Sequence, residues 1–188
     1  MITVGTTLDF FWSVLGLYWL GSALRTKKTA IDEHPGLRLF RLWILCITLM
    51  LVLTDRFRIG PLAGRFVPNS EWVAWFGVTL TGVGVGLAIW ARWNLGRNWS
   101  DKVVLKVDHE LIRSGPYAYL RHPIYTGVLL AIAGTALAIG EWRGVLALVV
   151  MSTNYFVKAR REERVLAGQF GEEFKEYRKH AGFLLPRL

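Results

Sequence analysis

The sequence holds one cysteine, Cys46, among 188 residues, so no disulfide can form within the chain. Its four histidines, His34, His109, His122 and His180, are scattered. They offer none of the short spacings that build a metal site. The glycines between 77 and 86 follow no strand-like segment, which excludes a dinucleotide-binding fingerprint there. No basic start and no small-residue cleavage site frame the first apolar run, so that run is expected to stay as a membrane helix. Internal repeats, low-complexity segments and signs of a second domain are lacking, and 1–188 reads as one domain. Acidic residues are scarce as well: 14 Asp and Glu face 23 Lys and Arg, a formal net charge of +9.

What the chain does have is apolar and aromatic. Hydrophobic residues make up 53%, nine residues are Trp, and the mean hydropathy is positive. That is a membrane composition. A large positive charge can serve nucleic-acid binding, but these basic residues flank apolar runs. They point to a membrane surface and its lipids, not to nucleic acid.

A helix needs about 20 residues to cross hydrocarbon. The run 8–24 qualifies, with Asp9 near one interface and Arg25, Lys27 and Lys28 at the other. A second run covers 39–54, with Arg41 placed to reach the head groups. The third, 71–93, is the longest, and its Gly82 and Gly86 share a face on which another helix could approach closely. The last two, 124–139 and 143–157, are short and joined by Gly140-Glu141-Trp142, a helical hairpin. From 158 to 180 the chain is charged, with Leu166, Phe170, Phe174 and Tyr177 forming an apolar stripe expected on the membrane surface. Gly168 and Gly171 are candidate breaks in it. The fold expected is all-α: an integral membrane protein with five transmembrane helices and a cytosolic C-terminal amphipathic helix. Segment 1–93 carries three of the helices, and 94–188 carries a long loop, the hairpin and the tail. Of the 23 basic residues, 19 fall on the side of the long loop and the tail. This bias puts the C-terminus in the cytosol and the N-terminus outside. Nothing in the sequence fixes an oligomeric state.

Chemistry concentrates in 115–127. Gly115-Pro116 reads as a turn. His122-Pro123 reads as a helix start, with His122 just outside and Tyr125 one turn in. Such an end carries unpaired N–H groups and a partial positive charge. The hairpin brings this segment to the same side as Lys158, Arg160, Arg161, Glu162 and Glu163, so the two groups are expected to meet. A convergent set of this kind at a membrane boundary is a site candidate.

The motifs Gly-Pro-Tyr at 115–117, Arg-His-Pro-x-Tyr-x-Gly at 121–127, Glu-Glu at 162–163 and Phe-Gly-Glu-Glu at 170–173 resemble the isoprenylcysteine carboxyl methyltransferase family and its lipid methyltransferase relatives. The resemblance runs from about 95 to 186. It implies an integral membrane enzyme that uses S-adenosylmethionine, leaves S-adenosylhomocysteine, and methylates a lipophilic or prenylated acceptor arriving from the bilayer. The implied cofactor contacts are Lys102, His109, Glu110, Leu111, Ile112 and Tyr117 in the loop, then His122, Pro123, Ile124 and Tyr125. Near the acceptor the family pairs an Arg with a Glu four residues later. Here Glu162 matches, but Lys158 stands at the Arg position, and Arg160 or Arg161 is the candidate compensating cation. Lys lacks the bidentate fork of Arg, which opens amine N-methylation beside carboxyl O-methylation. A membrane sterol or enone reductase using NADPH has a similar Arg-His-Pro-x-Tyr segment and is one rival. A non-catalytic lipid-binding module is the other.

Overall fold

The computed structural model describes residues 3–23, 35–96 and 111–187. Among the described residues there are five α-helices and no β-strand: α1 (Val4–Ala23), α2 (Pro35–Leu53), α3 (Glu71–Leu95), α4 (Pro123–Ile139) and α5 (Trp142–His180). One of them, α3, is long and apolar enough by itself to cross a membrane. The apolar parts of α2 (Leu39–Leu53) and α4 are shorter. On α3 the exposed aromatics Trp72 and Trp90 lie 18 residues apart, as do Trp75 and Trp93. At 1.5 Å per residue each pair is separated by about 27 Å, the spacing of two aromatic belts across a hydrocarbon core.

The spine of the molecule is the antiparallel pair α3–α4, its most extensive helix contact. Four glycines at heptad spacing, Gly77 and Gly84 on α3 and Gly127 and Gly134 on α4, bring the two backbones together. A Cβ on Gly77 would stand 2.5 Å from the Gly134 oxygen, and one on Gly84 2.5 Å from the Gly127 oxygen. This differs from the expectation for Gly82 and Gly86. Gly82 faces the Phe11 ring, and Gly86 has nothing within 4 Å. The contacting face is set by the seven-residue repeat, which a four-residue pair does not sample. Buried hydroxyls cross the same seam: Thr81 and Thr135 lie 3.2 Å apart, and Trp12 Nε1 of α1 donates to Thr135 at 3.1 Å. Helix α1 packs on α3, and α2 packs on α5.

The second departure is α5. The expected fifth helix runs without interruption into the expected surface helix as far as Gly171, whose φ 49° and ψ −118° break the helix there, as one of the two candidate glycines predicts, before a shorter helical stretch continues to His180. Gly168 stays helical. The apolar stripe is not left for a membrane surface either. Phe174 and Tyr177 are buried with Ala181, against Leu111, Leu166 and Phe170. Tyr177 donates to the Tyr117 carbonyl at 2.6 Å.

At the end away from the Arg-His-Pro motif, an ionic clip locks the α4–α5 turn. Gly140 adopts φ 70°. The buried Arg143 donates to Glu141 at 2.7 Å, to Asp55 at 3.1 Å and to the carbonyls of Leu51 in the last turn of α2 and of Thr54 just after it. Arg58 supplies a second partner to Glu141 at 2.9 Å. Arg143→Met leaves Glu141 only its exposed partner Arg58 and strips the buried carbonyls of their donor, so it is expected to cost about 1–3 kcal/mol. Thermal denaturation in detergent measures this, and a loss of under ~1 kcal/mol would mean the pair behaves as an exposed one.

Candidate active site

The site grows from the start of α4. Pro123 occupies the first helical turn, and His122 precedes it with φ −128° and ψ 56°, making no side-chain cap. The 3-10 turn Gly115–Ala118 buries Pro116 and Tyr117 beneath it. His122 is itself buried. Its Nδ1 lies 3.5 Å from Glu162 Oε2 and its Nε2 lies 3.6 Å from Glu163 Oε1. Both distances suit ion pairs and exceed good hydrogen bonds.

Tyr125 donates to Glu162 Oε1 at 2.5 Å, and its ring stacks parallel to His122 at 5.4 Å. On its other contact it stacks on Tyr155 at 4.4 Å. Lys158 Nζ lies 4.0 Å from Glu162 and 5.5 Å from the Tyr125 ring centre. Thus Tyr155, Lys158 and Glu162, at helical spacing on α5, meet His122 and Tyr125 of the α4 start. Arg121 Nε holds Glu163 at 2.6 Å.

Charge follows this geometry. Burial alone would lower the His122 pKa, but Glu162 and Glu163 outweigh it and raise it above the ordinary 6.5. For Glu162, burial pushes upward, and His122, Lys158 and Tyr125 together bring the net shift downward. For Glu163, burial likewise opposes ionisation, and His122 and Arg121 prevail, lowering it from 4.5 to about 2. The two signs differ in their consequence. Glu163 contributes stability above its ordinary value of 4.5, lost as pH falls toward 2. His122 contributes stability below its ordinary 6.5, lost as pH rises through its raised folded value. Glu163→Gln is therefore expected to flatten the acid limb of a melting-temperature profile. An unchanged acid limb would assign that limb to other carboxylates.

Of the residues expected at the site, His122, Tyr125, Glu162 and Lys158 converge, with Tyr117 buried below and Leu111 and Ile112 half-buried beside it. Lys102, His109 and Glu110 lie outside the described residues. Arg161 departs from expectation: it makes no ion pair or hydrogen bond among the described residues. Arg160 does not join Glu162 either; its guanidinium lies 5.0 Å from each of the Phe156 and Phe183 rings. Sequence reasoning missed Tyr155, Arg121 and Phe183. Tyr155 stands three residues before Lys158, and that spacing was a usable signal. Phe183 reaches the site through a fold-back that no local pattern announces.

The phospholipid methyltransferase family profile matches residues 72–173, more than half of the chain. A cobalt-zinc-cadmium resistance protein of Cupriavidus metallidurans is 35% identical over 162 residues, covering 85% of this chain and 68% of that protein. The protein-S-isoprenylcysteine O-methyltransferase of Schizosaccharomyces pombe is 33% identical over 96 residues, 50% of this chain and 41% of its own length. In fold, the eukaryotic intramembrane Ras methyltransferase ICMT aligns with a TM-score of 0.58 at 20% identity, over 84% of this chain and 54% of the other. The fold is the all-helical one of that methyltransferase, and the chain spans about half the length of the methyltransferases it matches. The chain belongs to the phospholipid methyltransferase family.

Proposed function

We propose that the chain transfers a methyl group from S-adenosylmethionine to the carboxylate of a lipophilic, prenylcysteine-like acceptor at the cytosolic face of the membrane. The observation that carries this reading is Glu162, a carboxylate held ionised between His122, Lys158 and Tyr125 where apolar helices end. The residues fit the cofactor. A buried negative charge suits a cationic ligand, and the buried His122 Nε2, 3.6 Å from Glu163, has no hydrogen-bond partner among the described residues. Leu111, Ile112, Tyr117, His122, Pro123, Ile124 and Tyr125 would hold it, with Lys102, His109 and Glu110 as further candidates earlier in the sequence.

S-adenosylmethionine, when bound, supplies an electrophilic methyl on a sulfonium. The chain's own groups align the partners and keep water out. The stacked Tyr125 and Tyr155 rings form an apolar wall beside Glu162. The Lys158 ammonium offers a cation to the acceptor carboxylate. Such an acceptor attacks without losing a proton and needs no base. Glu162, shifted downward, is a weak base near neutral pH, which favours the carboxylate reading. A second reading, N-methylation of an amine-headed lipid, draws on Lys158 standing where the family has Arg, a weaker carboxylate clamp.

Calorimetry with S-adenosylhomocysteine and with NADPH tests the cofactor. We expect binding of the first alone, weakened on the order of tenfold or more by His122→Ala. Binding of NADPH alone would favour the reductase, and binding of neither the lipid-binding module. For the five-span topology, single cysteines at Asn69 and Gln169 in a Cys46→Ser background are expected to label from opposite sides of the membrane. Labelling from one side would overturn that topology.

A further inference from the structure

We propose that Phe183 is a positioning residue that seats the His122 ring, and that the strap 181–187 exists to deliver it. The inference rests on the functional reading above in taking His122 as part of the site.

The strap folds back from the end of α5 onto the segment that carries His122. Arg121 N donates to the Gly182 carbonyl at 2.8 Å, and Gly182 N donates to the Tyr119 carbonyl at 2.9 Å. Thr126, one turn into α4, donates its hydroxyl to the Leu184 carbonyl at 2.8 Å. Arg121 also donates to the Ala181 carbonyl. Both residues flanking Phe183 are therefore pinned, one to each side of His122 in sequence. The strap itself turns tightly, so that a Cβ on Gly182 would collide with the Leu185 carbonyl.

The Phe183 ring meets His122 edge-on, 5.2 Å between centroids at 76°. It is itself held by guanidinium groups, Arg160 at 5.0 Å and Arg121 at 5.6 Å, and by Phe156 at 5.6 Å. His122 needs such support. Its nitrogens stand 3.5 and 3.6 Å from their carboxylates, too far for short hydrogen bonds to fix the ring. Directional bonding does not choose its orientation. Ring packing does, with Tyr125 stacked on it and Phe183 against it. Without Phe183 the imidazole is free to turn and bond one carboxylate fully, at the expense of the other. The groups that then set its titration are Glu162 and Glu163 of α5, Tyr125 of α4 and Arg121 of its own segment. Lys158 acts through Glu162 and Arg160 through the lost ring.

The test uses the full chain in detergent with 13C-labelled histidine, and the His122 signal is assigned by its loss in His122→Gln. Phe183→Ala is expected to move that signal and its titration midpoint while His180 stays in place. Phe183→Tyr, which keeps the ring, is expected to restore both. In turnover, Phe183→Ala is expected to lower kcat roughly 10–100-fold with little change in the cofactor KM. Leu185→Ala, at a side chain 77% exposed, is the strap control and is expected to behave as wild type. A His122 signal unmoved by Phe183→Ala overturns the inference, as does an equal effect from Leu185→Ala. The spectra need no ligand. Wild-type protein that binds no S-adenosylhomocysteine would count against the proposed function alone.

Discussion

Gly84→Ala is expected to destabilise the protein by about 3 kcal/mol, and Gly86→Ala to stabilise it slightly. In an exposed helix the exchange of Gly for Ala is favourable by roughly 0.5–1 kcal/mol, because Gly loses more freedom on ordering. Gly86, with nothing within 4 Å, follows that rule. At Gly84 the new methyl would stand 2.5 Å from the Gly127 oxygen and 2.9 Å from the Ala131 Cα. Both obstacles are backbone of a neighbouring helix, so no rotamer change relieves them, and α3 and α4 must separate along the seam. Gly82→Ala should fall between, since its obstacle is the movable Phe11 ring. Melting temperatures in a single detergent rank the three. Equal effects at Gly84 and Gly86 would mean that the seam is not where these helices meet.

Glu162→Gln should produce the largest loss of activity of any single substitution at the site. The amide keeps the shape but removes the charge that His122, Lys158 and Tyr125 share. Losing charged hydrogen-bond partners costs about 1.5–3 kcal/mol, or roughly 10–150-fold in rate. The acceptor decides the pH dependence. A carboxylate acceptor brings no proton to remove, so apart from the shifted His122 titration the loss should show no recovery with added base. An amine acceptor that relied on Glu162 as base should lose roughly 10²–10⁴-fold near neutral pH and recover as solution base takes over. Methyl transfer from labelled cofactor, measured across pH for prenylcysteine analogues and for phosphatidylethanolamine, separates the two. Wild-type rates in Glu162→Gln would remove this carboxylate from the reaction.

Much of this was legible in the chain. The helix starting at Pro123 could be read because Pro constrains its own φ and the residue before it. The meeting of His122 and Tyr125 with Lys158 and Glu162 could be read because one short hairpin joins their helices. The glycine seam was misjudged because close packing shows in sequence only once the partner's register is known. The continuity of α5 was hidden by its change from apolar to charged, which alters the surroundings of a helix without ending it. Phe183 was invisible because its place depends on hydrogen bonds that Arg121 and Thr126 donate to a distant segment and that the Tyr119 carbonyl accepts from it.

The α4–α5 hairpin has the mechanics of tongs. Its joint is stiff: Gly140 makes the turn, the Gly144 backbone lies against Ala136, and Arg143 rivets the joint to α2. One arm, α4, is fused by its glycines to α3 and moves only with it. The other arm, α5, has a glycine approach only at Gly144 among the described residues and continues into the charged segment that bears Lys158 and Glu162. At the gripping end the two arms are fastened by the hydrogen bond from Tyr125 to Glu162, by the ion pairs of His122, by Arg121 on Glu163 and by the strap that follows α5. Prising the tips apart therefore means swinging α5, and the groups that would handle the methyl acceptor are the same ones that latch the jaws.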